Sequence, residues 1–193
     1  LDERFSIAGG RASWQSPAER GRQALEGPAI YLPSYGSPET HAVIVRATQK
    51  AGGRLAALPG GELRSEKLKD ARVGPAGRER EVALYAILGA GLQPDYVWLE
   101  QAEGMPLFAS ISVGGSHLVR AGWEGVTHEL ERLQREAEAG WLAELAGKHT
   151  QALPQPILIR NVRVFDASTR ALGEPADVYV NDGRIASVRT KSP

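Results

Sequence analysis

The chain has 193 residues and not one cysteine. That absence excludes disulfides, thiolate metal sites and cysteine nucleophiles. It leaves the compartment open, because oxidising and reducing locations both tolerate cysteine-free proteins. Charge of one sign is equally lacking: 23 lysines and arginines face 23 aspartates and glutamates, with no long run of either. A balanced chain offers no electrostatic case for nucleic acid or for an anionic membrane as partner. No apolar stretch reaches the roughly 18 residues that a membrane-spanning helix needs, and no secretory leader is visible. The nucleophile elbow Gly-x-Ser-x-Gly is missing, and the glycine-rich stretch Gly89-Ala90-Gly91 lacks the full phosphate-binding pattern and reads as a turn.

What is present suits a globular chain. Hydrophobic residues make up 42% and charged residues 24%, enough for a real core in one ordinary domain or two small ones. Glu3–Ile7 and Arg11–Ser16, separated by Gly9-Gly10, predict a hairpin. Ser16–Gly27 is polar and reads as a loop, followed by the short apolar run Ala29–Leu32. Ser37-Pro38-Glu39 is a helix start: a capping serine, proline at the first helical position, and an acid at the positive end of the dipole. Ala42, Val43, Ala47 and Ala51 are expected to share the buried face, and Gly52-Gly53 to end the helix. Arg54–Leu58 and Pro59-Gly60-Gly61 come next, and strand candidates follow at Glu79–Leu88, Tyr96–Leu99 and Leu107–Ser112. Glu62–Val73 alternates between charged and apolar residues, but imperfectly. A succession of strands joined by short turns favours an antiparallel sheet. From Gly122 to Gly147, Val126, Leu130, Leu133, Ala137, Trp141 and Leu145 recur at helical spacing, with Glu129, Arg132, Arg135, Glu136 and Glu144 opposite. Ala152-Leu153-Pro154-Gln155-Pro156 reads as a stiff linker. Beyond it come alternating strands at Ile157–Phe165, Ala176–Val180 and Arg184–Val188, the last two joined by the turn signal Asn181-Asp182-Gly183.

That terminal piece resembles the opening of amidohydrolase-superfamily enzymes, through Ile157-Leu-Ile-Arg-Asn-Val-Arg-Val-Phe-Asp166 and Ala176-Asp-Val-Tyr-Val-Asn-Asp-Gly-Arg-Ile-Ala-Ser-Val188. The resemblance implies a small β-sandwich beside a (β/α)₈ barrel. Tyr96-Val-Trp-Leu-Glu100, Pro106-Leu-Phe-Ala109 and Arg120-Ala-Gly-Trp-Glu124 resemble an extra amino-terminal domain found on some bacterial members. The family's His-x-His motif, which holds a divalent metal that activates water, follows the sandwich opening and would lie past residue 193, as would a barrel of roughly 250 residues. His41, His117, His128 and His149 form no such pair. The resemblance therefore implies no catalytic, cofactor-binding or metal-binding residue in this chain, with the divalent metal expected in the missing barrel.

Single residues read as structural. His128 on the long helix would need a second histidine at Arg132 to make a metal pair, and His41 and His117 read as structural or exposed. Gly114-Gly115-Ser116-His117 places a serine beside a histidine, which does not make a triad, and Ser34, Ser37, Ser110 and Ser112 have no better claim. Trp14, Trp98, Trp123 and Trp141 are expected mainly in cores, with an aromatic-lined groove as the other reading.

The expected fold is α+β. Residues 1–121 form a mainly antiparallel curved sheet with one packed helix, 122–156 a long helix and linker, and 157–193 a three-stranded part of a β-sandwich. Leu1 in place of an initiator methionine, and an end directly after a strand, lead to the expectation of a fragment, with a leader upstream left open. The functional expectation is a non-catalytic amino-terminal portion of a metal-dependent amidohydrolase, partnered by the missing barrel. A free-standing binding module for an apolar or peptide-like ligand, and a self-association domain, are the alternatives. Strands deprived of sandwich partners are expected to pair with another copy or to move. The compartment, cytoplasmic or periplasmic, stays open.

Overall fold

The computed structural model of the chain describes residues 3–112, 114–150 and 155–190. It is an α+β protein with two compact units, Leu1–Glu144 and Leu145–Pro193. Residues 152–154 of the expected linker lie outside the described residues.

The first unit opens with β1 (Arg4–Ala8), β2 (Arg11–Gln15) and β3 (Arg20–Ala24), an antiparallel sheet in that order. The β1–β2 hairpin is the one anticipated, and Gly9 and Gly10 turn it with positive φ angles. The stretch expected to be loop contains β3, whose sequence Arg-Gly-Arg-Gln-Ala has no apolar alternation. Tertiary contact recruits it: the Trp14 ring lies flat over Gly21, where a Cβ would meet Cζ2 at 2.3 Å. The indole N–H donates to Glu19 Oε1 at 2.7 Å.

Next come β4 (Ala29–Tyr31), α1 (Pro38–Lys50), β5 (Arg54–Leu58), β6 (Glu62–Val73), β7 (Arg80–Leu88), β8 (Asp95–Glu100), β9 (Leu107–Ile111) and β10 (His117–Val119). They build a seven-stranded sheet in the order β10-β9-β8-β7-β6-β5-β4. It is antiparallel except for the β4–β5 pair. A 3₁₀ turn over Glu124–Val126 leads into α2 (Thr127–His149). The helix thus runs two residues past the expected stop at Gly147.

The two helices cover opposite faces. Ala42, Ile44 and Val45 of α1 pack with Ala57, Leu63, Ala83, Tyr85, Ile87, Val97 and Leu99. Val126 and Leu130 pack with Val73, Val82, Leu84, Trp98, Phe108, Ala109 and Ile111. A strand buried on both faces has no reason to alternate, and β7 is buried continuously from Val82 to Ile87.

Two expectations need correction. The buried face of α1 runs through Ala42, Ile44, Val45 and Thr48, while Val43 stands exposed. Alanine spacing suggested one stripe, but the larger Ile44 and Val45 remove more surface from water and set the rotation of the helix. The imperfect alternation of β6 has a cause as well. The register slips between Lys67 and Lys69, so Leu68 is an extra, bulged residue. Leu63 therefore joins the α1 side and Val73 the α2 side, although both are odd-numbered.

The second unit is β11 (Ile157–Asp166), β12 (Ala171–Asn181) and β13 (Arg184–Thr190), an antiparallel sheet in sequence order. β12 begins five residues before the expected Ala176, because Leu172 and Ala171 extend the pairing opposite Phe165 and Asp166.

Candidate functional site

The residues that resemble the extra amino-terminal domain lie in the first unit, and those that resemble the amidohydrolase opening, Ile157–Asp166 and Ala176–Val188, occupy the second. Its register pairs Ile159 with Val178 and Val178 with Val188, so these three share one face with Ile157, Val162, Ala176, Val180 and Ile185. Ala176 and Val178 in the central strand are buried, flanked on both sides by these neighbours. The outer residues are not: Ile159 is 43% exposed, Val188 48% and Ile185 68%.

Three local devices shape this sheet. Between Ile159 and Val162 two residues of β11 face one of β12. Asn161 takes the left-handed conformation, with φ of 56°, a region that asparagine tolerates better than other non-glycine residues. Its backbone N–H donates to Asp177 Oδ1 at 2.9 Å, closing the bulge. At the other end Asp182 and Gly183 both have positive φ, 48° and 71°, the geometry of a two-residue hairpin turn matched to strand twist. Asp166 caps the β11–β12 turn by accepting from Ser168 N at 2.8 Å and Ser168 Oγ at 2.7 Å. Those hydrogen bonds, with weaker ones from Thr169, hold its carboxyl below the ordinary aspartate range.

The singled-out histidines do not converge. His41 lies on α1, His117 on β10, and His128 and His149 on α2. Among the described residues no three histidines or carboxylates group so as to hold a metal ion. Ser116 and His117 are consecutive, and no hydrogen bond joins their side chains.

The tryptophans serve separate places. Trp14 is buried with Ala12 and Leu58. Trp98 is fully buried against α2, and Trp123 meets Phe108 edge-on at 5.6 Å with the Arg80 guanidinium over its ring. Trp141 donates to Glu66 Oε2 at 3.0 Å.

A polar cleft of about 300 Å³ opens between the start of β8 and the end of β9, lined by His41, Asp95, Tyr96, Ser110, Gln134 and Glu138 among others. His41 Nε2 lies 3.9 Å from Asp95 Oδ2. Its floor is a hydrogen-bonded relay. Trp98 Nε1 donates to Gln134 Oε1 at 3.1 Å, and Gln134 Nε2 donates to the Ile111 carbonyl at 3.0 Å and to Glu138 Oε1 at 2.7 Å. Every polar atom of Gln134 is engaged, so the relay supports packing.

Sequence reading passed over Gln134. Its signal was present, a polar residue one turn beyond Leu130 on the apolar stripe. No family model matches the chain, and neither does any curated protein or solved structure.

Proposed function

We propose that this chain is the non-catalytic amino-terminal portion of a metal-dependent amidohydrolase, and that its second unit is the opening of the enzyme's β-sandwich. The observation that carries the reading is the apolar face of β11–β13. Three strands of alternating pattern present Ile157, Ile159, Ile185 and Val188 on one side, each more than a third exposed. Soluble domains bury such contiguous apolar surface against something, and in the family that this segment resembles a larger catalytic body adjoins it. On this reading the first unit scaffolds or gates the barrel, and the water-activating metal and its His-x-His ligands belong to chain beyond residue 193.

The test begins with the natural reading frame downstream of Pro193. A continuation into His-x-His and a (β/α)₈ repeat is expected, and a stop codon directly after Pro193 overturns the proposal. The longer product, loaded with a divalent metal, should hydrolyse C–N bonds in a panel of amides and cyclic imides. The 193-residue chain under the same conditions should show no metal-dependent turnover, and detectable turnover would contradict its non-catalytic role.

A further inference from the structure

The sheet β1–β2–β3 has a face that neither the fold nor the proposed function uses. Strand alternation divides its residues cleanly. Ala12 and Trp14 point into the unit and Phe5 stacks on Tyr31 at 4.6 Å. The register places Arg4, Gln15 and Arg20 in one row of the opposite face, Ser6, Ser13 and Arg22 in the next, and Ala8, Arg11 and Ala24 in the third. The contact between Ser6 Oγ and Ser13 Oγ, 2.9 Å, agrees with that sidedness. Nine positions thus carry four arginines and no carboxylate, in a chain whose charges cancel overall.

Three of these arginines, like Arg64 and Arg78, stand apart from most others of the unit. Arg46, Arg54, Arg72, Arg80, Arg120, Arg132 and Arg135 each meet a glutamate. Arg11, Arg20 and Arg22 have no ion pair or hydrogen bond among the described residues. The nearby acids are engaged elsewhere. Glu19 accepts from the Trp14 indole, and Glu3 accepts from Tyr31 Oη at 2.6 Å and Ser34 N at 3.0 Å. Like charges two residues apart on one face, as at Arg20 and Arg22, disfavour the sheet. Charge on an edge strand guards against aggregation, which would account for β3. It does not account for Arg11 on the central strand.

The face is concave. Arg4, Ser6, Ser13, Gln15, Arg20 and Arg22 line an open hollow of about 930 Å³, bordered also by Phe5, Trp14, Gly21 and the Glu3 that Tyr31 and Ser34 engage, a ligand-sized volume. We infer that this hollow binds a soluble small molecule carrying two or more phosphate groups. Guanidinium forks, hydroxyls and an amide offer many donors, which suits phosphoryl groups with three acceptor oxygens each. The rows of arginines lie roughly 7 Å apart along a strand and roughly 10 Å apart across the sheet, so one phosphate cannot satisfy all of them. No aromatic side chain belongs to this face: of the two that border the hollow, Trp14 is 8% exposed and Phe5 is stacked on Tyr31, which leaves no free ring for a base. No large apolar side chain is there to enter a bilayer.

Calorimetric titration of the intact chain with sodium tripolyphosphate at low ionic strength tests the inference. Saturable binding that weakens steeply as salt is raised is expected. Arg20→Ala/Arg22→Ala should weaken it about 10-fold or more, Arg11→Ala by a smaller factor, and Arg64→Ala on β6 not at all. Should the double variant unfold, judged by its melting curve, the single variant Arg22→Ala, which lines the hollow, decides the role of the face. Absence of saturable binding, or equal loss in Arg64→Ala, overturns the inference. Tighter binding to a single-stranded oligonucleotide, or to phosphatidylserine vesicles, than to tripolyphosphate overturns the assignment to a small molecule.

Discussion

Gln134 shows how a single polar residue can sit in an apolar interface. It is 1% exposed and satisfies Trp98, Ile111 and Glu138 at once. Gln134→Ala leaves a buried indole N–H and a carbonyl without partners, at about 2–4 kcal/mol in total, which urea unfolding followed by tryptophan fluorescence will register. A second residue-scale device is the Glu3–Tyr31 pair. Hydrogen bonds from Tyr31 and the Ser34 backbone lower the Glu3 carboxyl below its ordinary value. Burial, then the bond to Glu3, pushes the Tyr31 phenol up to about 12. A depressed carboxyl stabilises the fold above its unfolded pKa and loses that contribution as pH falls through the folded value. A raised phenol contributes below its unfolded pKa near 10 and loses the contribution as pH rises toward 12. Glu3→Gln should therefore flatten the acid limb of the stability–pH curve and bring one late-titrating tyrosine earlier in ultraviolet absorbance. Neither pairing was legible in the sequence, because residues 28 and 36 positions apart meet only after the sheet has formed.

At the scale of elements, most boundaries were legible and two orientations were not. The Ser37-Pro38-Glu39 start of α1 and the Gly52-Gly53 end are local chemistry, and Ser37 N donating to Thr40 Oγ1 at 3.0 Å adds a cap within the first turn. The face that α1 buries was misjudged, because its helical wheel carries apolar residues on both candidate stripes. Val43→Lys should change stability by less than about 0.5 kcal/mol. Val45→Lys buries an unpaired charge and should abolish cooperative unfolding, so paired thermal melts distinguish the two stripes. The β6 bulge was visible only as broken alternation. Its partner strand β7 supplies the explanation, since the slip is defined by pairing.

For the molecule as a whole, the exposed apolar face of the second unit dominates the expected solution behaviour. The chain by itself should self-associate with rising concentration, and Ile185→Lys/Val188→Lys should return it toward the monomer. Sedimentation velocity over a tenfold concentration range will measure this, and equal association by wild type and variant would remove this face as the cause. The arginine face of β1–β3 belongs to the same scale. Its charges are scattered through Arg4, Arg11, Arg20 and Arg22, and nothing in their spacing signals a patch until three strands lie side by side. The stretch around Arg20 looked like a loop for the same reason: its partner is the Trp14 ring, not a pattern of its own.

By itself the sequence determined the α+β class, the long helix, the antiparallel succession of strands and the three-stranded terminal piece. Those follow from periodicity, caps and turn residues, which act over a few positions. Only the tertiary structure decided which stripe of α1 is buried, where β6 changes face, that β3 is a strand, and that four arginines share a surface. These depend on residues distant in the chain competing for the same contact, and no local rule can weigh that competition.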